Sequence, residues 1–179
     1  VLNKLEESGS KITKKGNSIS IKGNNIKSVD IKTAPFPGFP TDLQAPFMAL
    51  MTIAEGKSRI SETIFENRMN HVELLNQMGS SITLKNNVAE INGVNELEGM
   101  TLVGSDLRSS AALFIAALIS KKVSHIYGLE HLDRGYENFE FKLSQLGAQI
   151  TREISKITNN LEYEGNDLNK KSFTAIKVA

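Results

Sequence analysis

Five charged residues in this 179-residue sequence have types and spacings suited to chemistry. Asp42 in "PFPGFPTDLQAPF" and Asp106 in "GSDLR" lie 64 positions apart, and Arg68 in "FENR" and Arg134 in "LDRG" lie 66 apart. Arg108 follows Asp106 by two residues. A carboxylate accepts a hydrogen bond from a hydroxyl, and the planar fork of arginine binds carboxylate or phosphate through two parallel bonds. Two arginines at matching places, with a third near an acid, therefore point to a convergent anion site beside an acceptor carboxylate.

Each residue also has a local reading. Thr41-x-x-Gln44 has the form of a capping box with Thr41 as N-cap. An acid in the first helical turn, as Asp42 then is, gains ~0.3–1 kcal/mol from the helix dipole. Ser105 reads as the N-cap of a second helix, which puts Arg108 at N3. A cation there opposes the dipole, so local stability does not account for it. Either Asp106 pairs with it, or it is aimed at an anion near a helix N-terminus. Asp106, Asp133 and Glu137 are candidates for orienting the arginines. His71, His125 and His131 lack metal-ligand spacing. No nucleotide-binding glycine loop or Gly-x-Ser-x-Gly motif is present.

The elements that must position these residues repeat. "VLNKLEESGSKI", "HVELLNQMGSSI" and "FEFKLSQLGAQI" each end an amphipathic helix on glycine and move on to isoleucine. Gly9, Gly79 and Gly147 are 70 and 68 positions apart, a period that marks one supersecondary unit. The predicted unit is β-α-β-α-β-β: strand 29–33, helix 42–55, strand 59–64, helix 71–78, strands 81–85 and 88–92. A second copy is predicted at 100–103, 107–120, 124–129, 137–146 and 149–154, with a further strand at 160–164. The chain opens with the close of an earlier copy, at 2–8, 11–14 and 18–22. The first helix of each full unit is apolar nearly all round, as buried helices are. Leu113, Ile115 and Leu118 are expected to tolerate polar substitution poorly. The expected division is a partial unit 1–27, units 28–98 and 99–154, and a divergent tail 155–179. Pro46 falls inside the predicted first helix, where it is expected to cost ~3 kcal/mol or bend it.

Composition bounds the rest. Hydrophobic residues make up 40%, charged residues 23%, and the net charge is +1. That balance gives no general nucleic-acid or membrane footprint. With no cysteine in the chain, disulfides and thiol catalysis within it are excluded, and a reducing, cytoplasmic setting is expected. The longest apolar stretch, 111–119, is far too short to span a bilayer. The chain starts with Val1 inside a helical pattern, so it is expected to be a piece of a longer protein.

"TAPFPGFPTDLQ", "ETIFENR", "GSDLRSSAAL" and "DRGYENFEFKLSQLGAQI" together resemble the enolpyruvyltransferase family, and within it the members that act on UDP-N-acetylglucosamine. The resemblance runs over roughly 1–151. It implies a mixed α/β (α+β) fold of repeated units with apolar helices inside, the inside-out α/β barrel lobe of this family, here most of a C-terminal lobe. It implies transfer of the enolpyruvyl group of phosphoenolpyruvate to the sugar 3-hydroxyl, the first committed step of peptidoglycan synthesis, without a metal or organic cofactor. Asp42 would bind the hydroxyl and take its proton. Arg134 would contact the phosphoenolpyruvate carboxylate, Arg68 and Arg108 would serve the phosphate side and the cleft, and Asp106 would count among the substrate-binding residues. The backbone at Ile64 would touch the sugar nucleotide. The family's cysteine, lysine and further arginine belong to an N-terminal lobe, so this chain alone is expected to be inactive. The rival readings are a shikimate-type enolpyruvyltransferase and a non-catalytic remnant or split-gene half.

Overall fold

The computed structural model describes residues 1–155 and 173–178. The chain opens with helix α1 (Leu2–Glu7) and a two-stranded ribbon, β1 (Lys11–Lys15) and β2 (Ser18–Lys22). The first full unit runs β3 (Ile31–Lys32), a 3-10 turn (Thr41–Leu43), α2 (Gln44–Met51), β4 (Lys57–Ser61), α3 (His71–Gln77), β5 (Ser81–Lys85) and β6 (Val88–Asn92). The second runs β7 (Thr101–Val103), α4 (Leu107–Leu118), β8 (Ser124–Tyr127), α5 (Leu129–Asp133), α6 (Phe139–Gln145), β9 (Ile150–Ser155) and β10 (Phe173–Val178).

The two units form sheets of the same topology, β3-β4-β6-β5 and β7-β8-β10-β9. In each, the first two strands are parallel, paired through Ile31 with Ile60 and Leu102 with Ile126, and the others are antiparallel. The parallel pairs need a crossover, which α2 and α4 supply. β10 comes from the segment set apart on sequence as a divergent tail, yet it lies between β8 and β9 and holds the place that β6 holds in the first unit. In the first unit the two closing strands are joined across Asn86 and Asn87; in the second, residues 156–172 separate them. The strand expected at 160–164 lies outside the described residues. The short helix α5 was not expected, because it interrupts a loop that the first unit leaves irregular.

α2 and α4 pack against each other at the centre. Met48, Ala49, Met51, Ala112, Leu113, Phe114 and Ala116 are all buried. These helices carry apolar residues on most sides because both neighbouring elements and sheets cover them. Leu113 is fully buried, and Ile115 packs partly buried against the same core. Leu118 does not fit the expectation: it is 38% exposed, because α4 ends there and its last turn leaves the core. The glycines ending α1, α3 and α6 all have positive φ, 101°, 89° and 97°. A left-handed residue closes each helix and turns the chain into the next strand.

The predicted helix over 42–55 is in fact two elements. A 3-10 turn carries Asp42, and α2 begins only at Gln44. Pro46 is therefore the third residue of α2. The first four N–H groups of a helix have no partner within it, so the missing N–H of proline costs no hydrogen bond there. The expected penalty does not arise. The expected capping box does not form either. Pro40 precedes the 3-10 turn without a side-chain cap, and Gln44 is buried with its amide nitrogen donating to Met69 Sδ at 3.0 Å.

Candidate functional site

The side-by-side packing of α2 and α4 brings their N-terminal ends together. Asp42 stands on the 3-10 turn before α2, and Arg108 on the first turn of α4. Arg108 Nε donates to Asp42 Oδ1 at 2.6 Å, and Arg68 Nη1 lies 3.5 Å from the same oxygen. Arg68 comes from the connection between β4 and α3. Three of the residues picked out in sequence thus meet, from two different units. The pairs contribute at most ~1 kcal/mol to stability at such exposure, so stability alone does not account for them.

Arg108 is aimed by the cap of α4. The N-cap is Asp106, one residue later than the expected Ser105, which places Arg108 at N2 rather than N3. Asp106 Oδ1 accepts from the backbone N–H of Arg108 at 2.9 Å and of Ser109 at 3.1 Å, while Ser109 Oγ bonds to Oδ2 at 2.8 Å. A carboxylate at the helix start also suits the dipole. Burial pushes the Asp106 carboxyl up. The Ser109 hydroxyl and N–H, the Arg108 N–H and nearby His71 together outweigh that and hold it below its usual range. Gly104 lets β7 run close onto this helix: a Cβ there would sit 2.1 Å from Ser110 Oγ.

Among the described residues, none of the three acids expected to orient the arginines is paired with the guanidinium of Arg68, Arg108 or Arg134; Asp106 reaches Arg108 through its backbone N–H. Asp106 caps α4. Asp133 takes both ends of the Arg152 guanidinium, at 3.0 and 2.7 Å. Glu137 lies 3.8 Å from Lys142. Arg134, the residue that ends α5, is exposed, and among the described residues no ion pair joins it to Asp42 as ion pairs join Arg68 and Arg108; it stands outside their ion-pair cluster. Ile64 lies three residues beyond β4, half-buried, with its N–H donating to Glu62 at 2.8 Å. His71 is buried at the start of α3, and its Nε2 has no partner among the described residues. Burial lowers its pKa to about 4, against the pull of Asp106.

Glu62 is the residue that sequence reasoning missed. It is 3% exposed, yet among the described residues it forms no ion pair. Its carboxylate accepts from the hydroxyls of Thr33 (2.9 Å) and Thr41 (2.7 Å) and from the N–H groups of Ile64 (2.8 Å) and Phe65 (3.2 Å). Burial raises its pKa, but these four partners overcome that and hold it below the usual range. Glu62 opens "ETIFENR", but its threonine partners, Thr33 and Thr41, lie far from it in sequence, so no local pattern marks it. Among the described residues, no group of three or more His, Cys, Asp or Glu is placed to hold a metal. No helix there is long and apolar enough to cross a membrane.

Comparison with known proteins places this geometry in a family. The family model described as EPSP synthase (3-phosphoshikimate 1-carboxyvinyltransferase) matches residues 1–143. A UDP-N-acetylglucosamine 1-carboxyvinyltransferase of Prochlorococcus marinus subsp. pastoris is 83% identical over 160 residues, covering 89% of this chain and 35% of that protein. One from another Prochlorococcus marinus strain is 69% identical over 178 residues, 99% of this chain and 39% of that protein. The chain thus spans little more than a third of the length of these relatives. Among solved structures, the enolpyruvyl transferase NikO from Streptomyces tendae superposes with a TM-score of 0.72 at 26% identity, over 82% of this chain and 34% of that one. EPSP synthase from Acinetobacter baumannii superposes at 0.56 and 12% identity, over 99% and 55%, which shows a shared mixed α/β fold.

Proposed function

The chain belongs to the EPSP synthase family, and on that premise we propose that it is part of an enolpyruvyltransferase acting on UDP-N-acetylglucosamine. The meeting of Asp42, Arg68 and Arg108 at 2.6 and 3.5 Å carries the chemical part of this reading. The names of the highly identical relatives support the choice of sugar. In this reading the chain is most of a C-terminal lobe, an inside-out α/β barrel of repeated units, divided as 1–27, 28–98 and a second full unit from 99 that closes with β10. An N-terminal lobe supplies the remaining cationic and proton-donating groups. The product would serve cell-wall synthesis in the cytoplasm.

The reaction joins the sugar O3 to C2 of phosphoenolpyruvate while C3 takes up a proton. The intermediate then loses phosphate from C2 and a proton from C3, restoring the double bond. Asp42 accepts the hydroxyl proton as the O3–C2 bond forms. In the structure it is the counterion of Arg68 and Arg108. A phosphate dianion competes for those guanidiniums and so frees the carboxylate for the hydroxyl. Arg68 and Arg108 stabilise the departing phosphate, a fixed-charge arrangement of the kind that lowers barriers most. Arg134 takes the phosphoenolpyruvate carboxylate, and the backbone at Ile64 meets the sugar nucleotide. Asp106 acts through Arg108, whose first helical turn it caps. No metal or organic cofactor enters these steps.

Phosphate release by the whole protein tests the reading. Release from phosphoenolpyruvate is expected with UDP-N-acetylglucosamine and not with 3-phosphoshikimate. The reverse preference, or no release with either, would overturn it. The 179-residue chain alone is expected to release none.

A further inference from the structure

We propose that Glu62 is a positioning residue of this site, the buried anchor that sets Arg68 against Asp42; this rests on the enolpyruvyltransferase reading above. Arg68 has two supports besides Asp42. Its Nη1 donates to Thr41 Oγ1 at 2.9 Å, and its guanidinium lies 3.9 Å above the Phe65 ring. Glu62 holds both. Its Oε2 takes the Thr41 hydroxyl proton at 2.7 Å, which turns the oxygen lone pairs of Thr41 toward Arg68. Its Oε1 takes the Phe65 N–H at 3.2 Å, which fixes the backbone that carries the ring. The same Oε1 binds Ile64 N–H and the Thr33 hydroxyl, tying the loop to the residue that follows β3.

Thr41 adjoins Asp42 in sequence, so one carboxylate fixes the acid's turn and the arginine that faces it. A buried carboxylate without a cation is costly unless its lone pairs are filled, and here four donors fill them. An apolar residue would serve mere packing at this place more cheaply. The negative charge is instead spent on orienting a hydroxyl and a loop, as supporting groups do around a site that must hold its geometry.

A mutant cycle on the whole protein tests the assignment. Glu62→Gln keeps the shape but turns an amide N–H toward Thr41. Thr41→Val removes the hydroxyl and leaves Glu62 with its other three donors. Each is expected to lower kcat/KM for phosphoenolpyruvate about tenfold or more, consistent with loss of a hydrogen bond to a charged group. The double variant is expected to lose no more than the worse single one, because both act on Arg68. Crystal structures of the two variants are expected to show the Arg68 guanidinium displaced from Asp42 Oδ1. Additive losses, or an unmoved Arg68 in both variants, would overturn the proposal. Should Glu62→Gln not fold, Thr41→Val decides alone by the same kinetic and positional readouts. A wild-type protein without turnover would refute the enolpyruvyltransferase reading, and the position of Arg68 would still decide the role of Glu62.

Discussion

Asp42 is more open to solvent than the arginines that hold it. Its side chain is 66% exposed, against 33% for Arg108 and 19% for Arg68. A carboxylate in that position is reachable by a substrate hydroxyl while its partners stay fixed at their bases. The nature of the cation matters as well as its charge. Arg108 uses Nε toward Asp42 and has its two terminal nitrogens for an anion. Lysine offers a single point of charge. Arg108→Lys is therefore expected to raise KM for phosphoenolpyruvate and lower kcat, together about tenfold or more in kcat/KM, with little change in melting temperature; steady-state kinetics and thermal unfolding check this. At this scale the sequence told much. The pairing of Asp42 with a repeat-equivalent acid and the anomalous cation at Arg108 were both visible in residue type and spacing. Glu62 was not, because its significance lies in four partners brought from Thr33, Thr41 and the loop after β4, and no local pattern encodes such a set.

Elements decide where these side chains point. Asp106 and Ser109 make a reciprocal cap at the start of α4. Asp106→Ala is expected to cost on the order of 1 kcal/mol of stability, and Asp106→Asn, an equally good cap, little of that; chemical denaturation of the two variants distinguishes them. The start of α3 adds a pH dependence. His71 is neutral when buried, with a pKa near 4 against an ordinary value of 6.5. Between those values the unfolded chain binds more protons than the folded one, so stability rises with pH across this window and falls on acidification. Going from pH 6.5 to pH 5 is expected to remove up to about 2 kcal/mol. His71→Gln is expected to flatten that slope in denaturation curves taken across the range. Below it, Glu62 and Asp106 act in the same direction, since both have lowered values and lose their contribution as pH falls through them. Boundaries were the least legible part. The break at Leu43, which makes Pro46 harmless, depends on the 3-10 turn being seated by Thr41 and Glu62, a long-range contact.

The whole molecule is two copies of one unit and the close of a third, and that was legible because glycine-ended helices recur at a near-constant period. The repeat explains why the site exists. Equivalent helices α2 and α4 pack together, so equivalent helix mouths adjoin, and Asp42 from one meets Arg108 from the other. What the repeat could not foretell is that Phe173–Val178 would complete the second sheet, because residues 156–172 stand where the first unit has a two-residue turn. Deleting 173–178 is expected to leave β8 and β9 without the strand that joins them and to lower the melting temperature markedly, whereas an intact transition would deny β10 its structural part. The chain spans little more than a third of the length of its relatives, and in the proposed reading it supplies one side of a cleft.

The central claim is that Asp42 handles the sugar hydroxyl while Arg68 and Arg108 hold the phosphate. The most direct measurement is phosphate release by the whole protein carrying Asp42→Asn, with UDP-N-acetylglucosamine and phosphoenolpyruvate both saturating. A loss of about a hundredfold or more in kcat, with thermal unfolding unchanged, is the predicted result, in line with the range for a positioned proton acceptor. Turnover within a few-fold of wild type would contradict the account.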